Sequence, residues 1–259
     1  MKIGIFYKIE NQEINKLILE QCEKYGFTYD NENPDVVFAV GGDGTFLRSV
    51  HHYIDKLEDI LFIGINNGTL GFFFDYRKED IPSVFKMIKE RSYKITTHPI
   101  IQGHAQYENS EESFYAINEI RIENPFHTLI SDVLINDEKL ETYRGNGLIV
   151  CTSLGSSAYN KSLGGSLIDN DLESLEITEI AGIENNVYRA LGSSFVLKGD
   201  KTITFSGQLL NSVIGYDFSN IHKNENLLNV VISYSDKTFR IIHSPDYSYI
   251  QKIRKSFIL

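Results

Sequence analysis

A chain of 259 residues with 42% hydrophobic side chains is long enough for one large domain or two modest ones with a real core. Its formal net charge of -10, from 35 acidic against 25 basic residues, argues against a general affinity for nucleic acid or an anionic membrane surface. The expected partner is a small molecule. Cys22 and Cys151 lie far apart and without metal-ligand spacing, which disfavours a disulfide framework or a zinc site.

The opening MKIGIFYKIENQ turns charged after a short apolar run, so Lys2 to Tyr7 reads as a first strand rather than a secretory signal. No stretch approaches the roughly 20 apolar residues needed to cross a bilayer, and a cytoplasmic location without membrane partners is expected. Ile14, Leu17, Ile18 and Cys22 mark one face of a helix ending near Tyr25 and Gly26. Val36 to Val40 and Leu61 to Ile65 are short apolar runs of the kind found in parallel sheets covered on both faces, with a helix predicted between them over Thr45 to Asp55. Ile81, Val84, Phe85 and Ile88 follow the i, i+3, i+4, i+7 pattern, with Pro82 early enough in that helix to be tolerated. This half is α/β, and ligands are expected at the carboxyl ends of its strands.

Around His98 and Pro99 the texture becomes β-rich. Strands are expected over Ile100 to Tyr107, Phe114 to Glu123, Leu129 to Asn136 and Leu148 to Thr152, and the pattern continues to Tyr234 with turn signals at Asn136-Asp137 and Gly199-Asp200. The predicted organisation is an α/β phosphate-binding domain over 1–98, a mainly antiparallel β domain over 99–236, and a C-terminal segment over 237–259. Within that segment Tyr247 to Leu259 is expected to be a helix anchored through Ile250, Ile253 and Phe257.

Four polar segments follow strands. In VVFAVGGDGTFL, Val36 to Leu47, Gly41 and Gly42 let the backbone approach a ligand closely, and a helix starting at Gly44 offers free amides to an anion. Asp43 then has two readings, a base that takes a proton from a hydroxyl attacking a phosphate, or a plain N-cap. The loop Asn66-Asn67-Gly68-Thr69-Leu70-Gly71-Phe72 follows the strand Leu61 to Ile65. Two parallel strands ending in glycine-rich loops point to a shared phosphate-binding rim of Gly41, Gly42, Thr45, Asn66 and Gly68.

Asn118 and Glu119 interrupt an otherwise apolar strand; adjacent residues point to opposite faces, so at least one needs an inward partner. An amide beside a carboxylate suits an adenine edge and ribose hydroxyls. Finally, Arg144-Gly145-Asn146-Gly147-Leu148 precedes Thr152-Ser153-Leu154-Gly155-Ser156-Ser157-Ala158-Tyr159-Asn160-Lys161-Ser162 and then Gly164-Gly165. These small hydroxylated residues permit close backbone approach to a ligand, and Tyr159 suits stacking on a base. No P-loop, paired-glycine dinucleotide fingerprint, nucleophile elbow or zinc-binding helix is present, and His51-His52 reads as a surface pair.

GGDGT at 41 to 45, the NxGxLGF loop at 66 to 72, the Asn118-Glu119 pair, and the later G-x-G-L with GSSAYNKSLGG resemble NAD kinase, in the same order and at similar spacing over nearly the whole chain. The resemblance implies an α/β N-terminal domain, a mainly antiparallel β-sandwich C-terminal domain, and a terminal segment returning to the first domain. It implies NAD as acceptor, ATP or polyphosphate as donor, a homodimer or homotetramer, and Mg2+ or another divalent ion held mainly through phosphates. By the same resemblance Asp43 falls on the proton acceptor for the 2'-hydroxyl of the adenosine ribose, with Gly44 beside it. Asn118 and Glu119 fall on residues that hold the adenosine portion. Arg144, Asn146, Ser157, Ala158, Tyr159, Asn160, Lys161, Ser162 and Ala181 fall on positions lining the dinucleotide site.

Asn146 stands where the family commonly has an aspartate, and Ser153-Leu154 where it has a proline and a hydroxylated residue. Weaker dinucleotide binding is the expected consequence, at about 1 to 3 kcal/mol for one or two lost hydrogen bonds. A lipid kinase sharing GGDGT is one alternative reading and predicts a basic or apolar membrane-facing patch. A catalytically weak NAD or NADP sensor is another, encouraged by Asn146 and Leu154 alone.

Overall fold

The computed structural model describes residues 1–7, 12–66, 68, 71–223 and 225–258. In chain order these form β1 (Lys2–Tyr7), α1 (Gln12–Tyr25), β2 (Thr28–Tyr29), β3 (Val36–Gly41), α2 (Asp43–His52), β4 (Leu61–Asn66), β5 (Tyr76–Arg77), α3 (Ile81–Glu90) and β6 (Lys94–Tyr107). Then come β7 (Glu111–Ala116), β8 (Glu119–Glu123), β9 (Leu129–Ile135), β10 (Glu138–Gly145), β11 (Gly147–Thr152), α4 (Tyr159–Ser162), β12 (Ser174–Ile180) and β13 (Phe195–Lys198). The chain finishes with β14 (Ile203–Gln208), β15 (Val213–Tyr216), β16 (Ser219–Ile221), β17 (Leu227–His243) and α5 (Tyr249–Phe257). Two compact units result, one of residues 1–98 with 237–259 and the other of residues 99–236.

The first unit is an α/β layer structure. Strands β2, β1, β3 and β4 pair in parallel, the end of β17 joins β4 through Arg240 and Ile241, and β5 pairs with the last two residues of β4. Helices α1 and α3 cover one face, packing Ile14, Ile18, Cys22, Ile81, Val84, Phe85 and Ile88 against Ile3, Ile5, Val36, Phe38, Val40, Ile63 and Ile65. On α2, Phe46 meets Phe62, Phe73, Phe74 and Phe239. Burial from both sides is why β3 and β4 read as unbroken apolar runs rather than alternating ones.

Two expectations for this unit change. Helix α2 begins at Asp43 rather than Thr45 because Gly42 is the extended N-cap, and it ends at His52, where Tyr53 turns away to donate its hydroxyl to the Asn31 carbonyl at 2.7 Å. Helix α5 is present, capped by the Ser248 hydroxyl, but Ile250 and Phe257 are 69% and 39% exposed. The buried residue of α5 is Lys252, whose ammonium is paired inside the unit.

The second unit is a β-sandwich. One sheet has the order β10-β9-β14-β17-β6-β7, and the other β13-β12-β11-β8-β15-β16 with all neighbouring strands antiparallel. Between them lies one core that takes Ile101, Phe114, Leu129, Val133, Tyr143, Phe205 and Ile232 from the first sheet and Ile120, Ile122, Leu148, Val150, Leu175, Ile177 and Ile214 from the second. Asn136 and Asp137, both at positive φ, make the tight β9–β10 turn that their sequence signals. The expected single strand from Phe114 to Glu123 is two strands, β7 in one sheet and β8 in the other. The break is at Ile117 and Asn118, whose amides donate to the Asp217 carboxylate at 2.9 and 2.8 Å instead of to a neighbouring strand.

Candidate active site

In the first unit the glycine-rich loops close the carboxyl ends of two adjacent strands. Gly41 pairs in register with Asn66, which brings Gly41 to Thr45 beside Asn66 and Gly68. Gly41 must be glycine, because a Cβ there would meet the Thr45 hydroxyl at 2.5 Å. Thr45 is buried, and its amide donates to the Gly42 carbonyl at 2.7 Å, closing the first turn of α2. No side chain caps that helix, so its leading amides suit an anion. Asn66 is buried, and its side-chain oxygen accepts the Gly68 amide at 2.7 Å. Asn67, Thr69 and Leu70 lie outside the described residues.

Asp43 is not the N-cap. As the first residue of α2, its two carboxylate oxygens accept the backbone amides of Phe72 at 2.9 Å and Phe73 at 3.0 Å. The two loops are therefore joined through Asp43, and Gly71 leaves room for it: a Cβ at Gly71 would lie 2.5 Å from Asp43 Oδ1. The Phe73 ring stacks on Phe46, one turn along α2 from Asp43, at 4.6 Å and nearly parallel.

In the second unit Asn118 and Glu119 lie at the start of β8, both buried. The Asn118 carbonyl accepts the Thr152 amide at 2.9 Å, and Gly155 packs so close to it that a Cβ would lie 2.0 Å from that oxygen. This contact draws the turn 154–157 and α4 over β8. Glu119, Cys151 and Glu176 stand side by side across β8, β11 and β12, on the face opposite the sandwich core. Arg121 lies 3.5 Å from Glu119 and 2.7 Å from Glu123, and its guanidinium faces the Tyr159 ring at 5.6 Å. One Glu119 oxygen, Oε2, is buried without a hydrogen-bond partner. Burial first, and then the negative charge of Asp217, push the Glu119 carboxyl up to about 8 against the pull of Arg121. A neutral acid beside an amide can donate as well as accept, which suits ribose hydroxyls and a base edge.

Of the run Ser157 to Ser162, Tyr159, Lys161 and Ser162 are exposed and Ser157 and Ala158 are half-buried. Asn160 differs. Its side chain is fully buried, donating to Glu176 at 2.7 Å and accepting from Thr178 at 2.7 Å, so it holds α4 onto the sheet and does not reach outward. Leu154 is buried as well, so that departure from the family pattern concerns packing. The Ser153 hydroxyl bonds the Leu172 carbonyl and the Ser174 hydroxyl.

Arg144, Asn146 and Ala181 are brought together where β10, β11 and β12 meet. The Asn146 amide donates to the Ile180 carbonyl at 3.0 Å, the Ile183 amide donates to the Arg144 carbonyl at 2.7 Å, and Ala181 adopts φ +50°. Gly145 permits the crossing, since a Cβ there would lie 1.9 Å from the Tyr143 hydroxyl. The Arg144 guanidinium lies 4.5 Å from the Tyr188 ring centre, and Asn146 is exposed, donating its side-chain NH2 to the Asn124 carbonyl at 3.3 Å.

Sequence reasoning missed the Phe72 and Phe73 amides, Asp217, Arg121 and Glu176. Backbone amides carry no side-chain signal, and the three charged residues gain their meaning from partners in other strands. Cys22 and Cys151 are free and buried, and His51 and His52 fall in the last turn of α2. Among the described residues no three His, Cys, Asp or Glu side chains converge as a metal-ligand set, and no helix is long and apolar enough to cross a membrane.

The family model of the ATP-NAD kinase N-terminal domain matches residues 7–93, and that of the ATP-NAD kinase C-terminal domain matches residues 117–243. An NAD kinase of Leuconostoc citreum is 32% identical over 261 residues, covering 100% of this chain and 98% of that protein. Among solved structures, yeast NADH kinase complexed with NADH superposes with a TM-score of 0.83 at 17% identity, covering 99% of this chain and 87% of that one. An NAD kinase from Archaeoglobus fulgidus in complex with ATP gives a TM-score of 0.76 at 20% identity, covering 99% and 97%. At those identities the two structures establish the fold, while the sequence matches establish the family: this chain belongs to the NAD kinases.

Proposed function

We propose that this NAD kinase family enzyme, which phosphorylates NAD to NADP, uses Asp43 as the base for the 2'-hydroxyl of the adenosine ribose. The observation that carries this reading is a carboxylate fixed by two backbone amides at the uncapped start of α2, beside the glycine-rich rim. Phosphoryl transfer needs mainly positioning and charge neutralisation. Gly41, Gly42, Thr45, Asn66 and Gly68 are assigned to the donor phosphates, and Gly44 to the substrate beside Asp43. When bound at the phosphates, magnesium or another divalent ion would neutralise charge and would be held mainly through them.

Asn118 and Glu119 are assigned to the adenosine portion, Tyr159 to stacking on a base, and Arg144, Asn146 and Ala181 to the rest of the dinucleotide. Ser157, Ala158, Lys161 and Ser162 line it, and Asn160 supports them from within. ATP or polyphosphate is the donor. The enzyme is assigned to the cytoplasm as a homodimer or homotetramer. Exposed apolar side chains on the second unit support assembly: Ile183, Val187, Tyr188, Leu191, Phe195 and Val196, the last two on the edge strand β13.

The test is purified protein with NAD or NADH, with ATP or polyphosphate, and with magnesium, followed by an NADP-specific readout. Absence of phosphorylated product with every donor overturns the reading. Light scattering on the same sample decides the assembly, and a monomer at all concentrations removes that part.

A further inference from the structure

Helix α5 has polar residues on most of its surface, yet its one buried side chain is a lysine. An ammonium removed from water is costly unless it is paired and hydrogen-bonded, and such pairs confer geometric specificity more readily than stability. Lys252 Nζ donates to the Phe74 carbonyl at 2.6 Å and to Asp75 Oδ1 at 2.7 Å. The other Asp75 oxygen meets His243 Nδ1 at 2.5 Å, and His243 Nε2 meets the Thr96 hydroxyl at 2.8 Å. His243 also stacks on Tyr247, with ring centres 3.7 Å apart.

These contacts close on a short segment with a second task. Gly71 to Asp75 carries the two amides that hold Asp43. Its Phe73 ring stacks on Phe46 of α2, and its Phe72 ring lies 6.2 Å from Tyr249 and 6.5 Å from Phe257 of α5. The segment is thus clamped between α2, which bears Asp43, and α5, which bears Lys252. We infer that Lys252 of the C-terminal helix is a positioning residue for phosphoryl transfer, fixing Gly71 to Asp75 so that the Phe72 and Phe73 amides hold the Asp43 carboxylate in place. This rests on Asp43 being the base. The buried Lys252 ammonium is engaged by Phe74 and Asp75, so it acts through the backbone of the segment it grips.

The test uses the full chain. Lys252→Met keeps the stem and removes the ammonium, and Lys252→Arg retains donors for both oxygens. Lys252→Met is expected to lower kcat by about 10- to 100-fold, the scale of a misplacement on the order of 1 Å, with the KM for NAD within about 2-fold of the unaltered enzyme. Lys252→Arg should recover most of kcat, and Asp75→Asn, which weakens the same grip from the other side, should reproduce the split between kcat and KM. A folded Lys252→Met with kcat within about 2-fold of normal overturns the inference, as does a loss shared equally by Lys252→Met and Lys252→Arg. Asp43→Asn, assayed alongside, separates the two readings: if it retains near-normal kcat the base assignment fails, whatever Lys252 does. Hydrogen exchange on the unaltered protein needs no variant. The Phe72 and Phe73 amides should lose protection at the same denaturant concentration as those of α5, and opening of α5 with those two amides still protected overturns the inference.

Discussion

Asp43 accepts the Phe73 amide at 3.0 Å through one carboxylate oxygen, leaving the other oxygen to the Phe72 amide at 2.9 Å. An asparagine has a single carbonyl oxygen, so it keeps one of these bonds and turns its NH2 toward the other donor. Asp43→Asn is therefore expected to lose turnover by about 100- to 10,000-fold and to melt lower as well, with about 1 to 3 kcal/mol lost at the unsatisfied amide. NADP formation and a thermal melt on the same preparation read the two effects. A variant that melts lower but turns over normally would leave Asp43 as an anchor for the loop and nothing more.

Gly71 supplies a second route to the same carboxylate. A Cβ there would lie 2.5 Å from Asp43 Oδ1 and 2.9 Å from the Phe74 ring, and neither atom belongs to a flexible side-chain end in open space. Gly71→Ala should push the carboxylate off its amides and reduce kcat by roughly 10-fold or more, with a smaller change in the KM for NAD. Steady-state kinetics decide it. A rise in KM at constant kcat would mean that the segment serves binding instead.

Glu119 makes stability depend on pH in a direction opposite to an ordinary paired carboxylate. Its pKa is raised from 4.5 to about 8, chiefly by burial and then by Asp217. Between those values the folded chain holds a proton that the unfolded chain has released, so the contribution is fully present below about 4.5 and is lost as pH rises through about 8. Glu119→Gln is neutral at every pH and should flatten the fall in denaturation midpoint across that window. Equal slopes for the two proteins would show that Glu119 is already ionised in the fold.

Apolar periodicity made the α/β half legible, since Val36 to Val40 and Leu61 to Ile65 are buried from both sides and their glycine-rich ends meet in register. The polar pair Asn118-Glu119 was legible as an anomaly in an apolar run. What ends the strand there was not, because the cap on Ile117 and Asn118 is Asp217, about a hundred residues downstream. The C-terminal helix was legible too, but the same limit hid what buries it. Ile250 and Phe257 repeat at helical spacing and suggest a buried face, whereas the helix is held by Lys252, whose partner Asp75 is 177 residues away. Local pattern reports which segments are apolar, and it does not report which charge will find a buried counterpart.

Asn146 is the site residue at which the chain departs most plainly from its family, and its surroundings sharpen what the missing acid should do. The backbone of Asn146 is fixed on both sides, its amide on the Ile180 carbonyl and its carbonyl on the Asn124 amide at 2.8 Å. The side chain is exposed and spends its NH2 on the Asn124 carbonyl at 3.3 Å. A carboxylate cannot donate to that carbonyl and would turn outward, so Asn146→Asp gives up one partly buried hydrogen bond, at about 0.5 to 1.5 kcal/mol of stability. That cost falls on free and liganded enzyme alike and leaves the KM untouched. The freed carboxylate gains a charge-assisted bond to a ribose hydroxyl or an amide of the dinucleotide, present only with ligand bound. The KM for NAD should fall by roughly 1 to 2 kcal/mol, about 5- to 30-fold, while turnover changes much less because this turn takes no proton. A lower melting temperature with an unchanged or higher KM would mean that the pocket is built around the amide, and that the dinucleotide is held here in a different way from the family's usual one.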